Sequence, residues 1–349
     1  MTATLPIIDD EQWLDFANDP LPGWCSRRTS AFDVRSLSLE SPPTFVETAI
    51  CSVPFDATAS TRIGARSGPR AIREATLAYA SQLASRGHMR LRNLRTGRLQ
   101  DVERVDIADY GDLHVYPSDP TRQVSATAAE VFRIARRAGR TVVLGGEHLI
   151  SYPAFAAVRA AGQLDGRRTA FLQIDHHFDF GGHSALHGCY YHGANARRIS
   201  ELPEMPMTAI GFVGPGDLTS AEQFERLLDA GAAIRSMRDV ERRGFETCLH
   251  EVLSDLSHEC EQIYVSIDVD VCDASAAPGT GHVTIGGISA VELLTVPAVL
   301  HEYPVVGLDI VEANPTFDPS GTTAHLAARL LFEWLFLREV PPSVTANVS

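Results

Sequence analysis

Long apolar runs are missing from this 349-residue chain, and none approaches the ~18 residues that a membrane-spanning helix needs. The N-terminus lacks a basic stretch followed by an uninterrupted apolar one. Asp9, Asp10 and Glu11 stand there instead, so no secretory leader is expected. Cysteine is scarce and scattered: Cys25, Cys51, Cys189, Cys248, Cys260 and Cys272 form no CxxC pair, which fits reduced thiols better than a disulfide framework. Basic residues are in deficit, 30 Lys and Arg against 44 Asp and Glu, and the net charge of −14 repels phosphate backbones and anionic membrane surfaces. Internal repeats, low-complexity tracts and long charge blocks are absent as well. These absences leave a cytoplasmic protein with neither nucleic acid nor membrane as a partner.

What is present is an ordinary globular composition, 44 % apolar and 21 % charged, ample for a core. Residues 1–43 show no sustained period and close on ESPP (Glu40–Pro43) like a linker, so they read as an arm laid on the surface, with 44–349 as one domain. From Phe45 onward, short β-rich runs alternate with longer helical patterns: FVETAICSV with GPRAIREATLAYASQLAS, RVDIAD with VSATAAEVFRIARRAG, TVVLGG with SYPAFAAVRAAG. The strand-like runs continue with TAFLQID, MTAIGFV, AAIRSM, IYVSID and VVGLDIV, making eight. Near-continuously apolar strands such as Thr141–Leu144 and Ile263–Ile267 are what a parallel sheet covered on both faces produces, because neither face is wet. A doubly wound α/β domain is expected. The amphipathic end at Leu330–Leu337 reads as a packed terminal helix or a subunit contact.

In such a sheet, ligands bind outside the carboxyl ends of the strands, so polar residues directly after apolar strands are the candidates. Four strand ends supply them. TVVLGGEH carries Glu147 and His148; TAFLQIDHHFD carries Asp175, His176, His177 and Asp179; YVSIDVDVCD carries Asp268, Asp270 and Asp273; VVGLDIVEANP carries Asp309 and Glu312. Alternate residues of extended chain point the same way, so Asp175, His177 and Asp179 can converge, as can Asp268 and Asp270. Three of these segments bring two imidazoles and four carboxylates to one rim, where the anions repel unless cations neutralise them. Two divalent metals would do so. An oxygen and nitrogen set without thiolate suits Mn²⁺, with Ni²⁺ and Co²⁺ also able to fill it. A lone DxD, or a lone histidine such as His148, is ordinarily a satisfied loop or core residue; three clusters at three strand ends point to a metal centre.

GGEH, DHHFD and SIDVDVCDASAAPGTG resemble, in order, the three metal-binding blocks of the ureohydrolases, the arginase and agmatinase family. VPFDATASTRIGARSGPRAIREA (Val53–Ala75) is similar to that family's N-terminal glycine-rich block, and GLDIVEANPTFD (Gly307–Asp318) to its last motif, so the likeness runs from Phe45 to Leu337. It implies a three-layer α/β/α fold around an eight-stranded, mostly parallel sheet. It further implies that His148 and Asp179 bind one manganese and His177 and Asp270 the other, with Asp175 and Asp268 bridging the pair. Glu312 would hydrogen-bond the substrate guanidinium, Asp179 would protonate the leaving amine, and His192, thirteen residues after Asp179, would relay protons. His187 is a rival that sits too early. The implied activity is hydrolysis of a guanidino C–N bond to urea and a primary amine, in a homo-oligomer, a trimer or hexamer. A formimidoylglutamase-like hydrolase releasing formamide and a non-catalytic metal-binding homologue are the alternatives.

The departures from the family pattern bear on substrate rather than metals. Glu147 replaces the aspartate of GGDH, a change expected to bear on the orientation of His148, and His176 replaces an alanine. Gly181 and Gly188 stand where arginases hold the α-carboxylate of free arginine with asparagine and serine, and Ile210–Gly214 lacks their charged residues for the α-amino group. The substrate expected is therefore agmatine, a guanidino acid or a guanidine borne on a larger biosynthetic intermediate. His282 and Val283 replace a Thr-Pro pair and reshape one wall of the pocket, while Phe178, Phe180, Tyr190 and Tyr191 add aromatic surface.

Overall fold

The runs read as strands are strands because helices cover both of their faces. The computed structural model describes residues 30–40, 44–84, 90–92, 94, 95, 97, 99–101 and 105–336. In chain order the strands are β1 (Arg35–Ser36), β2 (Val46–Val53), β3 (Arg90–Arg92), β4 (Leu99–Asp101), β5 (Ile107–Asp112), β6 (Ala138–Gly145), β7 (Thr169–Ile174), β8 (Ile210–Val213), β9 (Ala233–Arg235), β10 (Gln262–Asp268) and β11 (Val305–Val311). β3 and β4 form a separate antiparallel pair, and the other nine make one all-parallel sheet in the order β1-β5-β2-β6-β11-β10-β7-β8-β9. β7 and β10 are buried along their whole length, as their apolar sequences require. Helices Gly68–Ala84, Thr322–Phe336, Val296–Leu300 and Phe245–Glu259 pack successively on one another, and so do Pro120–Ala135, Ser151–Gln163 and Asn195–Ser200, giving the two helical layers.

The strand count differs from expectation by one, and the reason lies in the segment read as a surface arm. Residues 30–36 of that arm belong to the packed structure: Ala31 and Phe32 are buried, and β1 joins the sheet edge beside β5. Long-range contacts place them. The Ala31 N–H donates to Asp109 Oδ2 (2.8 Å), the Phe32 N–H to Thr76 Oγ1 (2.8 Å), and the Phe32 ring meets Phe336 edge-on at 5.2 Å. A two-residue strand has no period to read, so nothing local announces it. Residues 1–29 and 41–43 of the arm lie outside the described residues, as do 337–349.

The terminal helix is packed within the chain and is not amphipathic. Leu330, Leu331, Phe332, Trp334, Leu335 and Phe336 are all buried, with Phe332 stacked on Tyr79 (4.8 Å) and the Arg140 guanidinium over Trp334 (4.6 Å). Its apolar surface is covered without a second subunit. Among the described residues, no helix is long and apolar enough to cross a membrane.

The sheet order positions the site. After β6 the chain skips two places to β7 and builds outward through β8 and β9; β10 and β11 then return to fill the gap. The carboxyl ends of β6, β11, β10 and β7 consequently stand side by side at the point where the winding reverses, where open α/β sheets bind ligands.

Candidate metal centre and active site

Two of the strand ends turn on their own side chains. Asp175 Oδ1 accepts the His177 N–H (2.6 Å) after β7, and Asp268 Oδ1 accepts the Asp270 N–H (2.8 Å) after β10. These paired turns aim the alternate side chains inward together. His148 Nδ1 ends 3.1 Å from Asp175 Oδ2, 3.0 Å from Asp179 Oδ2 and 3.1 Å from Asp268 Oδ2. His177 Nδ1 lies 3.3 Å from both Asp175 Oδ1 and Asp270 Oδ2. Two groups result, His148 with Asp175 and Asp179, and Asp175 with His177 and Asp270, each with ligand atoms within 4.8 Å of one another. Asp175 is common to both. All six residues expected to meet at the rim therefore do; Asp273 does not, turning outward to Ser275 and the Gly286 N–H.

The donor atoms themselves test whether metals fit. His148 Nδ1 is fully buried among three carboxylate oxygens yet makes no hydrogen bond, and Asp270 Oδ1 is likewise buried without a partner. Buried polar atoms are rarely left so, and nitrogen and oxygen lone pairs aimed at one another require something positive between them. Asp179 (φ 46°) and Glu312 (φ 63°) also hold left-handed backbone, a strain that persists where the surroundings over-determine it. The residues fit a pair of divalent cations.

A buried relay fixes the His148 ring. Ser266 Oγ donates to Asp309 Oδ1 (2.6 Å), which leaves its lone pairs to accept from His148 Nε2–H (2.9 Å); Tyr264 Oη donates to Asp309 Oδ2 (2.8 Å). With a hydrogen committed to Nε2, the ring turns Nδ1 to the cluster, the nitrogen whose lone pair a metal would take on displacing its proton. The parallel register of β10 and β11 sets Ser266 beside Asp309. Glu147 was expected to bear on the orientation of this ring. Its carboxyl accepts the Thr58 N–H (2.8 Å) and the Thr58 hydroxyl, holding the 56–63 loop, and burial raises its pKa to about 8.

Charge is poorly balanced in this cluster. Burial raises the pKa of Asp268, as do Asp270 and Asp175, and burial with Asp175 raises that of Asp270. Burial opposes charge on His148 and His177 too, but the surrounding carboxylates overcome it and raise both imidazoles; the same contacts hold Asp175 low against its burial. Protons occupy the imidazoles until cations displace them, so metal affinity must rise with pH.

Glu312 and His192 stand over the cluster. Glu312 Oε1 accepts the His148 N–H (2.8 Å), and burial followed by the nearby Glu147 carboxyl pushes the Glu312 pKa well up. Gly281 faces its other oxygen, where a Cβ would sit 3.2 Å from Oε2. His192 opens a 3-10 turn whose N–H donates to Thr58 Oγ1 (3.1 Å), placing Nδ1 3.9 Å from Glu312 Oε1. Burial drives its pKa down to about 4, with Asp179 opposing and His282 assisting. His187 stays in its own loop, its N–H on Ser184 Oγ (3.3 Å).

The remaining candidates sort into packing and wall. His176 turns from the cluster against Gly216, Phe178 packs on Phe212 (5.2 Å) and Phe224 (6.1 Å), and Tyr190 stacks on Tyr152 (6.2 Å). His282 instead faces the mouth, between His177 (5.3 Å) and His192 (5.8 Å). Ser266, Thr58 and Ser60 escaped the sequence reading. The signal for Ser266 was an isolated hydroxyl inside a buried apolar strand.

The arrangement has relatives. A sequence model of the Arginase family matches residues 46–337. The mitochondrial guanidino acid hydrolase of Homo sapiens is 28 % identical over 317 residues, 90 % of this chain and 85 % of its own. An agmatinase of Halalkalibacterium halodurans is 30 % identical over 295 residues, 82 % of this chain and 90 % of its own. The solved proclavaminate amidino hydrolase of Streptomyces clavuligerus shares the fold with a TM-score of 0.73 at 22 % identity, covering 89 % of this chain and 96 % of that one. Since the match takes in every strand-end cluster and nearly all of the described sheet, the chain belongs to the Arginase family.

Proposed function

We propose that the chain is a binuclear, manganese-dependent amidinohydrolase that cleaves a guanidino C–N bond, releasing urea and a primary amine, and that its substrate is not free arginine. The observation that carries this reading is the convergence of six N/O ligands from three strand ends beneath Glu312 and His192. One cation would be held by His148 and Asp179, the other by His177 and Asp270, with Asp175 and Asp268 between them. Such a pair supplies a nucleophile near neutral pH and polarises the carbon under attack.

The chain's own groups do the rest. Glu312, anchored by the His148 N–H and facing Gly281, accepts paired guanidinium N–H groups; a bound cation also favours the ionised carboxylate that burial alone opposes. Asp179, steadied by Asn195 Nδ2 (3.2 Å), takes up the proton that the attacking water gives up and passes it to the leaving amine. His192, neutral at physiological pH because its pKa sits near 4, exchanges protons with that region. Gly181 and Gly188 offer no side chain to an α-carboxylate, which supports agmatine, a guanidino acid or a larger guanidine as substrate, and the net charge of −14 suits a cation.

The test is urea release from arginine, agmatine, guanidinobutyrate, free guanidine and N-capped arginine after reconstitution with Mn²⁺ or Ni²⁺. Urea is expected from at least one compound other than arginine. Two metals bound per chain with no urea from any, and formamide from a formimino substrate, would overturn the guanidino assignment.

A further inference from the structure

We propose that Ser60 and His282 are positioning residues that fix the tautomer of His192 and connect it to the outside of the site through a hydrogen-bonded chain. The inference rests on the reading of His192 as the proton relay. Ser60 Oγ lies 3.0 Å from His192 Nε2 and 3.4 Å from His282 Nε2. A hydroxyl carries one proton, so between two ring nitrogens it accepts from one and donates to the other.

The far side of His192 decides the direction. Its Nδ1 faces Glu312 Oε1 at 3.9 Å, an oxygen that already accepts the His148 N–H. A lone pair on Nδ1 would oppose a lone pair on that oxygen, whereas an N–H is attracted to it. Nδ1 therefore carries the hydrogen, Nε2 accepts from Ser60, and His282 Nε2–H donates to Ser60. The two loops that carry this chain are pinned together where Thr61 Oγ1 donates to Gly281 O (2.8 Å), and the second loop is braced within itself by the Thr280 hydroxyl, which donates to His282 O. The His282 ring lies nearly parallel to His192 (5.8 Å, 23°) and edge-on to His177 (5.3 Å, 65°). A Thr-Pro pair in place of His282 and Val283 would offer no ring nitrogen to Ser60.

The proton count balances. Once Asp179 has protonated the leaving nitrogen and the amine is free, His192 gives Nδ1–H inward to that amine, which departs as the ammonium, while its Nε2 takes the Ser60 hydroxyl proton. Ser60 takes Nε2–H from His282, and half-buried His282 takes one proton from solvent at Nδ1. Every link ends neutral, and one proton has crossed.

The test reads the tautomer directly. Long-range ¹H–¹⁵N correlation spectra of the full chain, ¹⁵N-labelled at histidine and free of metal, report which nitrogen of His192 is protonated, its signal being assigned by its loss in His192→Ala. The Nδ1-protonated form is expected in the native sequence. Ser60→Ala and His282→Thr are expected to shift it toward Nε2 protonation, and Ser60→Thr, which keeps the hydroxyl, to preserve it. In the metal-loaded enzyme, Ser60→Ala and His282→Thr should lower kcat by about tenfold with KM within about twofold. A His192 protonated at Nε2 in the native chain, or a tautomer indifferent to Ser60→Ala and His282→Thr, would overturn the proposal. Because the spectra need neither metal nor substrate, they separate failure of this inference from failure of the amidinohydrolase reading.

Discussion

Ser266→Ala tests the buried relay behind His148. The substitution removes one oxygen that bonds His148 Nε2 (2.9 Å), Asp309 Oδ1 (2.6 Å) and Ser151 Oγ (3.1 Å), with every residue involved fully buried. A buried donor and a carboxylate oxygen lose their partner, at about 1–3 kcal/mol each if nothing adjusts. Without metal something can adjust. Asp309, already pushed up to about 6 by burial, takes up a proton more readily once Ser266 stops donating to it, and His148 is free to change its protonated nitrogen. With metal the second escape is closed, because Nδ1 must stay unprotonated to bind. The penalty therefore falls chiefly on the metal-bound state, as a loss of about 10–100-fold in affinity, or about 1.4–2.7 kcal/mol. Calorimetric titration of chelator-treated protein with Mn²⁺ at pH 7.5 measures it. Tyr264→Phe is the control: it takes the other hydrogen bond from Asp309 (2.8 Å) without touching His148, and should leave affinity within about threefold while lowering stability by about 1 kcal/mol. Unchanged affinity in Ser266→Ala, or equal losses in both variants, would refute the relay.

Three further outcomes follow from the geometry. Asp268→Asn should abolish binding of at least one metal, yet with chelator present its melting temperature at pH 7 should equal or exceed that of the native protein. Burial, Asp270 and Asp175 all disfavour the Asp268 charge, so a lower value in calorimetry would contradict that account. His192, held near 4 against an unfolded value of about 6.5, binds fewer protons folded than unfolded in that window. Its contribution to stability is thus present above about pH 6.5 and lost as pH falls toward 4, and urea denaturation of His192→Asn should show a shallower decline over the same range. Gly146→Ala would put a Cβ 1.9 Å from Phe55 O at the bend that delivers His148, and should cost on the order of 3 kcal/mol in denaturant unfolding and lower metal stoichiometry; native-like values would show that the bend can yield.

Much of this was legible because the fold and the ligands are written locally. A strand such as Thr169–Ile174, apolar on both faces and followed at once by DHHFD, states its burial and its chemistry within eleven residues. The DxH and DxD turns close on their own backbone, so no distant contact is needed to aim Asp175 with His177 or Asp268 with Asp270. β1 was illegible for the opposite reason: Ala31 and Phe32 find their partners at Asp109 and Thr76, which only the assembled sheet brings near.

The same distinction separates the ligands from the residues that orient them. Ser266 and Asp309 belong to different strands and meet only through the β10–β11 register, while Ser60 reaches His192 across 132 residues of chain. Glu147 shows how the two levels interact. Read beside His148, a longer acid in place of aspartate suggested a different ring orientation; in the fold its carboxyl bonds Thr58, whose hydroxyl in turn holds the His192 backbone. The substitution thus bears on the loop that carries His192. Local rules also break at this place, with left-handed backbone at Asp179 and Glu312 and unpartnered buried atoms on His148 and Asp270. Strain at Asp179 and Glu312 and unmet lone pairs on His148 and Asp270, all at residues the chemistry requires, fit a site whose geometry is set by what it binds, and not by the stability of the unbound fold.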